Sequence, residues 1–220
     1  MRLLLASTLA LWPIIAPACD LALMLAVDVS GSVDEHEYRV QMDGLAAALR
    51  DGVVADALVR QTASVGLIQW SGSSRQRQTI PWTAVKSFND VAVLADQIAA
   101  DPRLWRNFST AVGEAVALSI RSFEQVPTCR RRVIDVSGDG ISNEGPSPEE
   151  YRSVLADKGI AVNALAIETD DADLTAWFFE HLIHGEGAFV ITANGFEDYP
   201  AQIRRKLQRE TTQQISALKK

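Results

Sequence analysis

The sequence predicts an α/β fold in which helices cover both faces of a doubly wound, mainly parallel six-stranded sheet with one antiparallel edge strand. Short apolar runs bounded by turn residues alternate with segments of helical period, which is the pattern of a parallel sheet between two helical layers. One of these runs, Leu21 to Val27, contains no polar side chain. A strand of that composition is expected at the centre of the sheet, buried on both faces.

The expected strands are the apolar runs that have the length of a strand and end at turn residues. They are residues 21–28, 64–70, 76–81, 132–137, 160–167 and 188–192. Only Ser71 to Ser74 separate the second strand from the third, and a connection that short makes a hairpin. The third strand is therefore predicted to be antiparallel and to lie at an edge.

Helices are predicted where apolar residues recur at helical spacing between the strands. They are residues 33–50, 90–100, 110–123, 148–158, 173–183 and 196–218. Ser32 and Glu35 have the spacing of a capping box at the start of the first helix. The basic residues between Arg204 and Lys220 are expected on the polar side of the last helix.

The first eighteen residues have the features of a cleaved secretory signal peptide. Arg2 supplies a positive start, residues 3–15 are almost wholly apolar, and Ala16-Pro17-Ala18 offers small residues for cleavage. The apolar segment is short for a membrane span. Residues 19–220 are then expected to form a single domain that is exported to the bacterial periplasm or secreted.

The remaining chain has two cysteines, Cys19 and Cys129, and each precedes an apolar run. If those two strands are neighbours in a parallel sheet, both thiols lie at its amino-terminal edge and can form a disulfide, which persists in an exported protein. Lipidation of Cys19 and two free thiols are the alternatives, and the sequence leaves them open.

The charge of the chain argues against one class of partner. Its formal charge is −7, which becomes −8 when Arg2 is removed with the signal peptide, so a nucleic-acid partner has no electrostatic support. No later segment of the sequence is long and apolar enough for a transmembrane helix.

The buried first strand ends at Asp28, and Ser30 and Ser32 come directly after it. Asp139 follows the fourth strand, and ligands of open α/β sheets bind beyond the carboxyl ends of strands, where the strand order reverses. Two converging carboxylates repel a phosphate but are neutralised by a divalent cation, to which hydroxyl oxygens add further ligands. Oxygen ligands without His or Cys favour Mg²⁺, with Mn²⁺ or Ca²⁺ possible, over zinc.

These residues resemble a known motif. Asp28-Val29-Ser30-Gly31-Ser32 matches the Asp-x-Ser-x-Ser signature of von Willebrand factor A (vWFA) domains, in which a metal-ion-dependent adhesion site (MIDAS) takes a Thr and an Asp from later loops. The resemblance implies that Thr110 and Asp139 are those ligands and that the fold is the Rossmann-like vWFA fold. The chain is also similar to a group of exported bacterial vWFA-like proteins of unknown function.

The chain departs from the common pattern of the family at two places. Gly138 stands where Thr is frequent before the aspartate, and Phe108-Ser109 stand where two glycines are frequent before the threonine. The ligands themselves are intact. The differences concern the loops around the metal and hence the choice of partner.

The resemblance implies an adhesion-type module whose cation is completed by a Glu or Asp of a partner protein. Trp105 and Phe108, in the loop that supplies Thr110, are candidate rim residues for that partner. An enzyme is not expected, because Ser30 occupies the position of the general acid in phosphatases that use a strand-end aspartate. A metal-assisted hydrolase and a permanent scaffold subunit of an envelope complex are the alternatives.

A second group of potential metal ligands is formed by Glu180, His181 and His184. The histidines lack the i, i+4 spacing with an internal Glu that zinc metalloproteases use. Histidines near a helix end commonly interact with the helix dipole, so a zinc site is not the preferred interpretation of this segment.

Overall fold

The computed structural model describes residues 19–126, 128–169 and 173–212. The predicted signal peptide, residues 1–18, lies outside the described residues, as does the end of the last predicted helix, residues 213–218. Within the described residues, no helix has the length and apolar character needed to cross a membrane.

The described residues form one six-stranded sheet, as predicted. The strands are β1 (Leu21–Asp28), β2 (Ser64–Trp70), β3 (Gln76–Ala84), β4 (Arg131–Gly138), β5 (Ile160–Glu168) and β6 (Val190–Asn194). Their order across the sheet is β3-β2-β1-β4-β5-β6. Only the edge pair of β2 and β3 is antiparallel, and all other pairs are parallel. The predicted fold class is therefore confirmed.

Seven α-helices occur among the described residues. They are α1 (Glu35–Leu49), α2 (Gly52–Arg60), α3 (Phe88–Ala100), α4 (Val112–Ser122), α5 (Arg152–Lys158), α6 (Leu174–Trp177) and α7 (Tyr199–Thr212). A π-helical turn, Phe178–Leu182, continues α6. Because β1 is covered on both faces, its alternate residues enter two cores: Leu23 and Leu25 pack with α1, α3 and α7, and Met24 and Ala26 pack with α4.

Two local predictions about helices were wrong. No helix was predicted over α2, yet Asp51 caps it by accepting hydrogen bonds from the backbone N–H groups of Val53 and Val54. The capping box of α1 is formed by Asp34 and Glu37, not by Ser32 and Glu35. The Ser32 hydroxyl is directed instead to Asp139, to which it donates.

The last helix also differs from its predicted pattern. Lys206 belongs to the basic segment that was expected on the polar side, but its side chain is fully buried. It contacts Asp135 of β4 and lies near Glu210, one helical turn further along α7. The prediction that the basic residues of this segment are solvated was therefore wrong for Lys206.

Cys19 and Cys129 form a disulfide, as predicted. The two cysteines precede β1 and β4, which are paired in parallel at the centre of the sheet. Backbone hydrogen bonds from Arg130 N to Cys19 O and from Arg131 N to Asp20 O begin this pairing next to the bridge. The disulfide thus joins the amino-terminal ends of the two strands that carry the predicted metal ligands at their other ends.

Candidate metal centre

The candidate site lies at the point where the strand order reverses, between β1 and β4. Asp28 ends β1 and is fully buried, and the backbone N–H of Ser30 donates to Asp28 Oδ1 over 2.7 Å. The hydroxyl oxygens of Ser30 and Ser32 lie 3.3 Å apart. The turn after β1 therefore directs two hydroxyls and one carboxylate to the same side.

Asp139 arrives from the loop that follows β4. The Ser32 hydroxyl donates to Asp139 Oδ1 over 2.7 Å, which joins the two loops directly. Gly31 allows a further close approach, because its N–H donates to Phe108 O over 2.8 Å and an added Cβ would lie 3.2 Å from that oxygen. A third loop, which precedes α4, is thereby held against the first.

That third loop supplies Thr110, which is buried. Its backbone N–H donates to Asn143 Oδ1, and its carbonyl accepts from Asn143 N, each over 2.9 Å. The Thr110 hydroxyl is 3.6 Å from the position that a Cβ would take on Gly140, the residue after Asp139. The structure thus places the five predicted ligands around one point, although three separate loops carry them.

These loops surround an open cavity of about 350 Å³. Its lining includes Ser32, Phe108, Thr110, Asp139, Asn143 and Glu168. Phe108 is 38 % exposed, and the Arg75 guanidinium lies 3.7 Å above its ring. Trp105, the other predicted rim residue, is not part of the lining and packs instead against the core that contains α1 and α3.

The electrostatics of Asp28 favour a cation at this point. Burial, together with the charge of Asp139, raises the pKa of Asp28 to about 8, although hydrogen bonds from Ser30 and from the backbone of Asp139 oppose the rise. Asp28 Oδ2 is buried and has no hydrogen-bond partner within the described residues. A buried carboxylate oxygen in that state is costly, and a divalent cation would displace the proton and supply the missing partner.

The side chains present also fit such an ion chemically. Two carboxylates and three hydroxyls offer the hard oxygen atoms that Mg²⁺, Mn²⁺ and Ca²⁺ prefer. Asp28, Ser30, Ser32, Thr110 and Asp139 would hold the cation, and the cation would offer its remaining coordination position to a ligand in the cavity.

The alternative zinc site receives no support. His181 lies near Glu149 and Glu180 on the surface, whereas the backbone of His184 pairs with Val162. In the part of the chain that the structure describes, no three His, Cys, Asp or Glu side chains come together as a potential metal cluster.

Three residues that the sequence did not single out also shape the site. Asn143 ties the Thr110 loop to the Asp139 loop, and Glu168 lines the cavity while accepting hydrogen bonds from Thr175. Arg103 donates to the carbonyls of Val29 and Ser30 over 3.2 and 2.9 Å, and burial lowers the pKa of this guanidinium. None has a recognisable spacing relative to Asp28, so only the fold could reveal them.

The structure gives a steric reason for Gly138, which stands where Thr is frequent in the family. A Cβ at this position would lie 2.9 Å from Asp28 Oδ2 and 3.2 Å from Trp70 Cζ2. The first distance is too short for a real contact, so a side chain would displace the Asp28 carboxylate. Trp70 is itself fully buried and has little room to move.

Replacing Gly138 by Ala is therefore expected to weaken cation binding without removing a ligand. We expect the Kd for Mg²⁺ to rise about 10-fold or more, the scale of effect typical of residues that position metal ligands. Isothermal titration calorimetry measures the change. Gly52→Ala is the matched control, because a Cβ at Gly52 has no atom within 4 Å. Equal Kd values for the two variants would contradict the steric role of Gly138.

The sheet order defines the class of protein by its fold, which is that of a von Willebrand factor A domain. Within that class, the chain belongs to the family described as protein of unknown function DUF1194, whose model matches residues 18–215. No curated protein matches the chain in sequence.

Solved structures share the fold at low sequence identity. Proximal thread matrix protein 1 from the mussel byssus aligns with a TM-score of 0.67 and 17 % identity, over 86 % of this chain and 47 % of that one. The open form of the pilus adhesin SpaC from Lactobacillus rhamnosus GG aligns with a TM-score of 0.64 and 14 % identity, over 87 % of this chain and 30 % of that one. A von Willebrand factor type A protein from Catenulispora acidiphila aligns with a TM-score of 0.57 and 18 % identity, over 87 % of this chain and 42 % of that one.

The chain thus spans less than half the length of these proteins. Another structure of the mussel protein, described as having a zinc-occupied MIDAS motif, aligns over 90 % of this chain with a TM-score of 0.60 and 15 % identity. At such identities the likeness establishes the fold.

Proposed function

We propose that this chain is an exported protein-binding module that works through a divalent cation. Asp28, Ser30, Ser32, Thr110 and Asp139 hold the ion, with Mg²⁺ as the first candidate. A Glu or Asp side chain of a partner protein completes the coordination. Residues 1–18 act as the signal peptide, and the Cys19–Cys129 disulfide suits a protein that works outside the cytoplasm.

The main support is the unpartnered Oδ2 of Asp28, buried beside the hydroxyls and behind an open cavity. A structural aspartate at the end of a strand would satisfy both oxygens with backbone or side-chain donors. The zinc-occupied MIDAS motif of the mussel protein, which has the same fold, is consistent with a cation at this place.

The cavity also suggests what completes the ion. Ser32, Thr110 and Asp139 line it, so a ligand that enters it can reach the cation. Mg²⁺ releases water reluctantly and prefers a charged oxygen in exchange, and a single carboxylate satisfies that preference on a protein surface. Phe108 at the rim offers an apolar contact beside the charged one, an arrangement common in protein interfaces.

Capture of a partner should therefore depend on both the cation and the partner's carboxylates. In pull-downs from the envelope extract of the host, wild-type protein is expected to retain a partner in Mg²⁺ and to release it in EDTA. The Asp28→Ala variant should retain none in either buffer. An extract whose carboxyl groups have been blocked by carbodiimide and a neutral amine should lose the captured protein as well.

The matched control is Asp157→Ala, because Asp157 is an exposed aspartate of α5 and its loss changes the net charge equally. Capture that survives EDTA, or that the Asp28→Ala variant retains, would contradict the proposal. Metal-dependent turnover of phosphate or carboxylic esters by the purified protein would instead identify a hydrolase.

A further inference from the structure

A second cluster of ionisable groups lies away from the cavity, between the sheet and α7. The ionisable members are Asp135 on β4 and Lys206 and Glu210 on α7, each at most 2 % exposed. The amide of Asn163 on β5, 4 % exposed, lies beside them. None of them lines the candidate metal site. Buried charges are rare in proteins unless they are paired or functional, so this group requires a chemical explanation.

Lys206 is the central member of the cluster. Its Nζ atom contacts Asp135 Oδ1 and lies 3.7 Å from Glu210 Oε2, and the Phe189 ring is 5.9 Å away. Despite these neighbours, Nζ has no partner in hydrogen-bond geometry. An ammonium group has three hydrogen-bond donors. If Lys206 served only as a buried charge, these donors would lack hydrogen-bond acceptors here.

The carboxyl groups of the cluster are not equivalent. Asn163 Nδ2 donates to Glu210 Oε1 over 2.6 Å. Burial raises the pKa of Glu210 to about 8, with a further rise from the charge of Asp135 and an opposing effect of Lys206. Burial therefore favours the protonated form of Glu210 next to the Lys206–Asp135 pair, because one ammonium does not neutralise two buried carboxylates.

We propose that Lys206 and Asp135 join in an intramolecular isopeptide bond and that Glu210 transfers the protons. The three requirements for such a condensation meet in this cluster: an amine in contact with a carboxyl group, a neighbouring acid that can donate and accept a proton, and the exclusion of bulk water. Outside the cluster, no group needs to take part.

The reaction balances without an additional reagent. In the first step, a proton moves from Lys206 Nζ to the Asp135 carboxyl group that it contacts. The nitrogen lone pair then attacks Asp135 Cγ, and a C–O bond of Asp135 breaks as the N–C bond forms. Glu210 donates its proton to the departing oxygen, which leaves as water, and then takes a proton from the nitrogen.

The fold supplies the driving force for this step. An amine and a carboxylate in dilute solution do not condense appreciably, but groups fixed in contact can have effective molarities of about 10⁵–10⁸ M. The product is a neutral amide in place of a buried ion pair, which removes a desolvation cost. The bond would link α7 covalently to β4. The amino-terminal end of the same strand is already linked to the start of β1 by the Cys19–Cys129 disulfide.

Mass spectrometry tests the bond directly on the full chain after reduction and denaturation. Trypsin should release residues 133–152 joined to residues 206–209, with a mass one water below the sum of the two peptides. An amine-reactive label added after denaturation should modify Lys158, whose side chain is 42 % exposed in the fold, but not Lys206. Quantitative labelling of Lys206 in wild-type protein would overturn the proposal.

Variants separate the roles of the two carboxyl groups. Asp135→Ala removes the electrophile, and Glu210→Gln retains the size of the side chain but removes its proton transfer. Both are expected to yield Lys206 peptides that label like those of Lys158. If Glu210→Gln, with a circular dichroism spectrum like that of the wild type, is linked as completely and as quickly, Glu210 does not transfer the protons.

Discussion

Replacing Asp28 by Asn is expected to abolish the stabilisation that Mg²⁺ gives to the folded protein. A ligand present at about 100 times its Kd stabilises the native state by about 2.7 kcal/mol, which raises the melting temperature of a domain of this size by roughly 5–10 °C. The variant should show no such rise, because an amide cannot neutralise the ion or offer two anionic oxygens. Differential scanning fluorimetry with Mg²⁺ and with EDTA measures both states.

The Asp28→Asn variant distinguishes between two roles of Asp28, that of a metal ligand and that of a structural residue. Its side-chain oxygen can still accept the hydrogen bond from Ser30 N that Asp28 receives, and its neutral amide removes the repulsion between Asp28 and Asp139. In EDTA the variant is therefore expected to melt no lower than the wild type. The Asp157→Asn variant should respond to Mg²⁺ like the wild type. A large loss of stability in EDTA, with the response to Mg²⁺ retained, would show that Asp28 is structural.

The sequence predicted most of the fold because the strands carry strong local signals. The apolar run of β1 marks a central strand, and the short connection after β2 marks the antiparallel edge. Helix α2, which was not predicted, begins at Gly52 and contains several Val residues. Gly and Val are both weak helix formers. Capping by Asp51 and burial of Val54 and Leu58 outweigh that low propensity.

The start of α1 shows why a motif can match in two registers. Ser32 with Glu35 and Asp34 with Glu37 both fit the capping-box spacing. The structure uses the second register, and the Ser32 hydroxyl is directed to Asp139 in another loop. Such a contact is distant in sequence, so local pattern analysis cannot detect it.

The same distinction applies to the candidate site. Asp28, Ser30 and Ser32 stand in one short motif, so the sequence alone could place them together. Asn143 and Arg103 act through backbone groups of other loops, and contacts of that kind leave no spacing pattern. The sequence predicted an exposed side chain for Lys206 for a related reason. Helix α7 is rich in Arg and Gln, and only the contact with β4 shows that the Lys206 side chain is buried.

Removing the disulfide should have the second large effect. The bridge closes a segment of 110 residues, and loss of a native disulfide typically costs about 2–5 kcal/mol, with longer closed loops at the upper end. The Cys19→Ser, Cys129→Ser double variant is therefore expected to melt on the order of 10 °C lower than the oxidised wild type. Thermal unfolding followed by circular dichroism measures the difference.

The bridge should affect stability without affecting the candidate metal centre. Because β1 and β4 remain paired along their whole length, most of the effect arises in the unfolded chain, which gains freedom when the link is absent. Dithiothreitol should lower the melting temperature of the wild type to that of the double variant and leave the variant unchanged. The rise produced by Mg²⁺ should be equal in both, since Asp28 lies at the other end of β1. A lipid thioether on Cys19 with a free Cys129 thiol would contradict the bridge, and a mass spectrum of protein from the native host distinguishes the two.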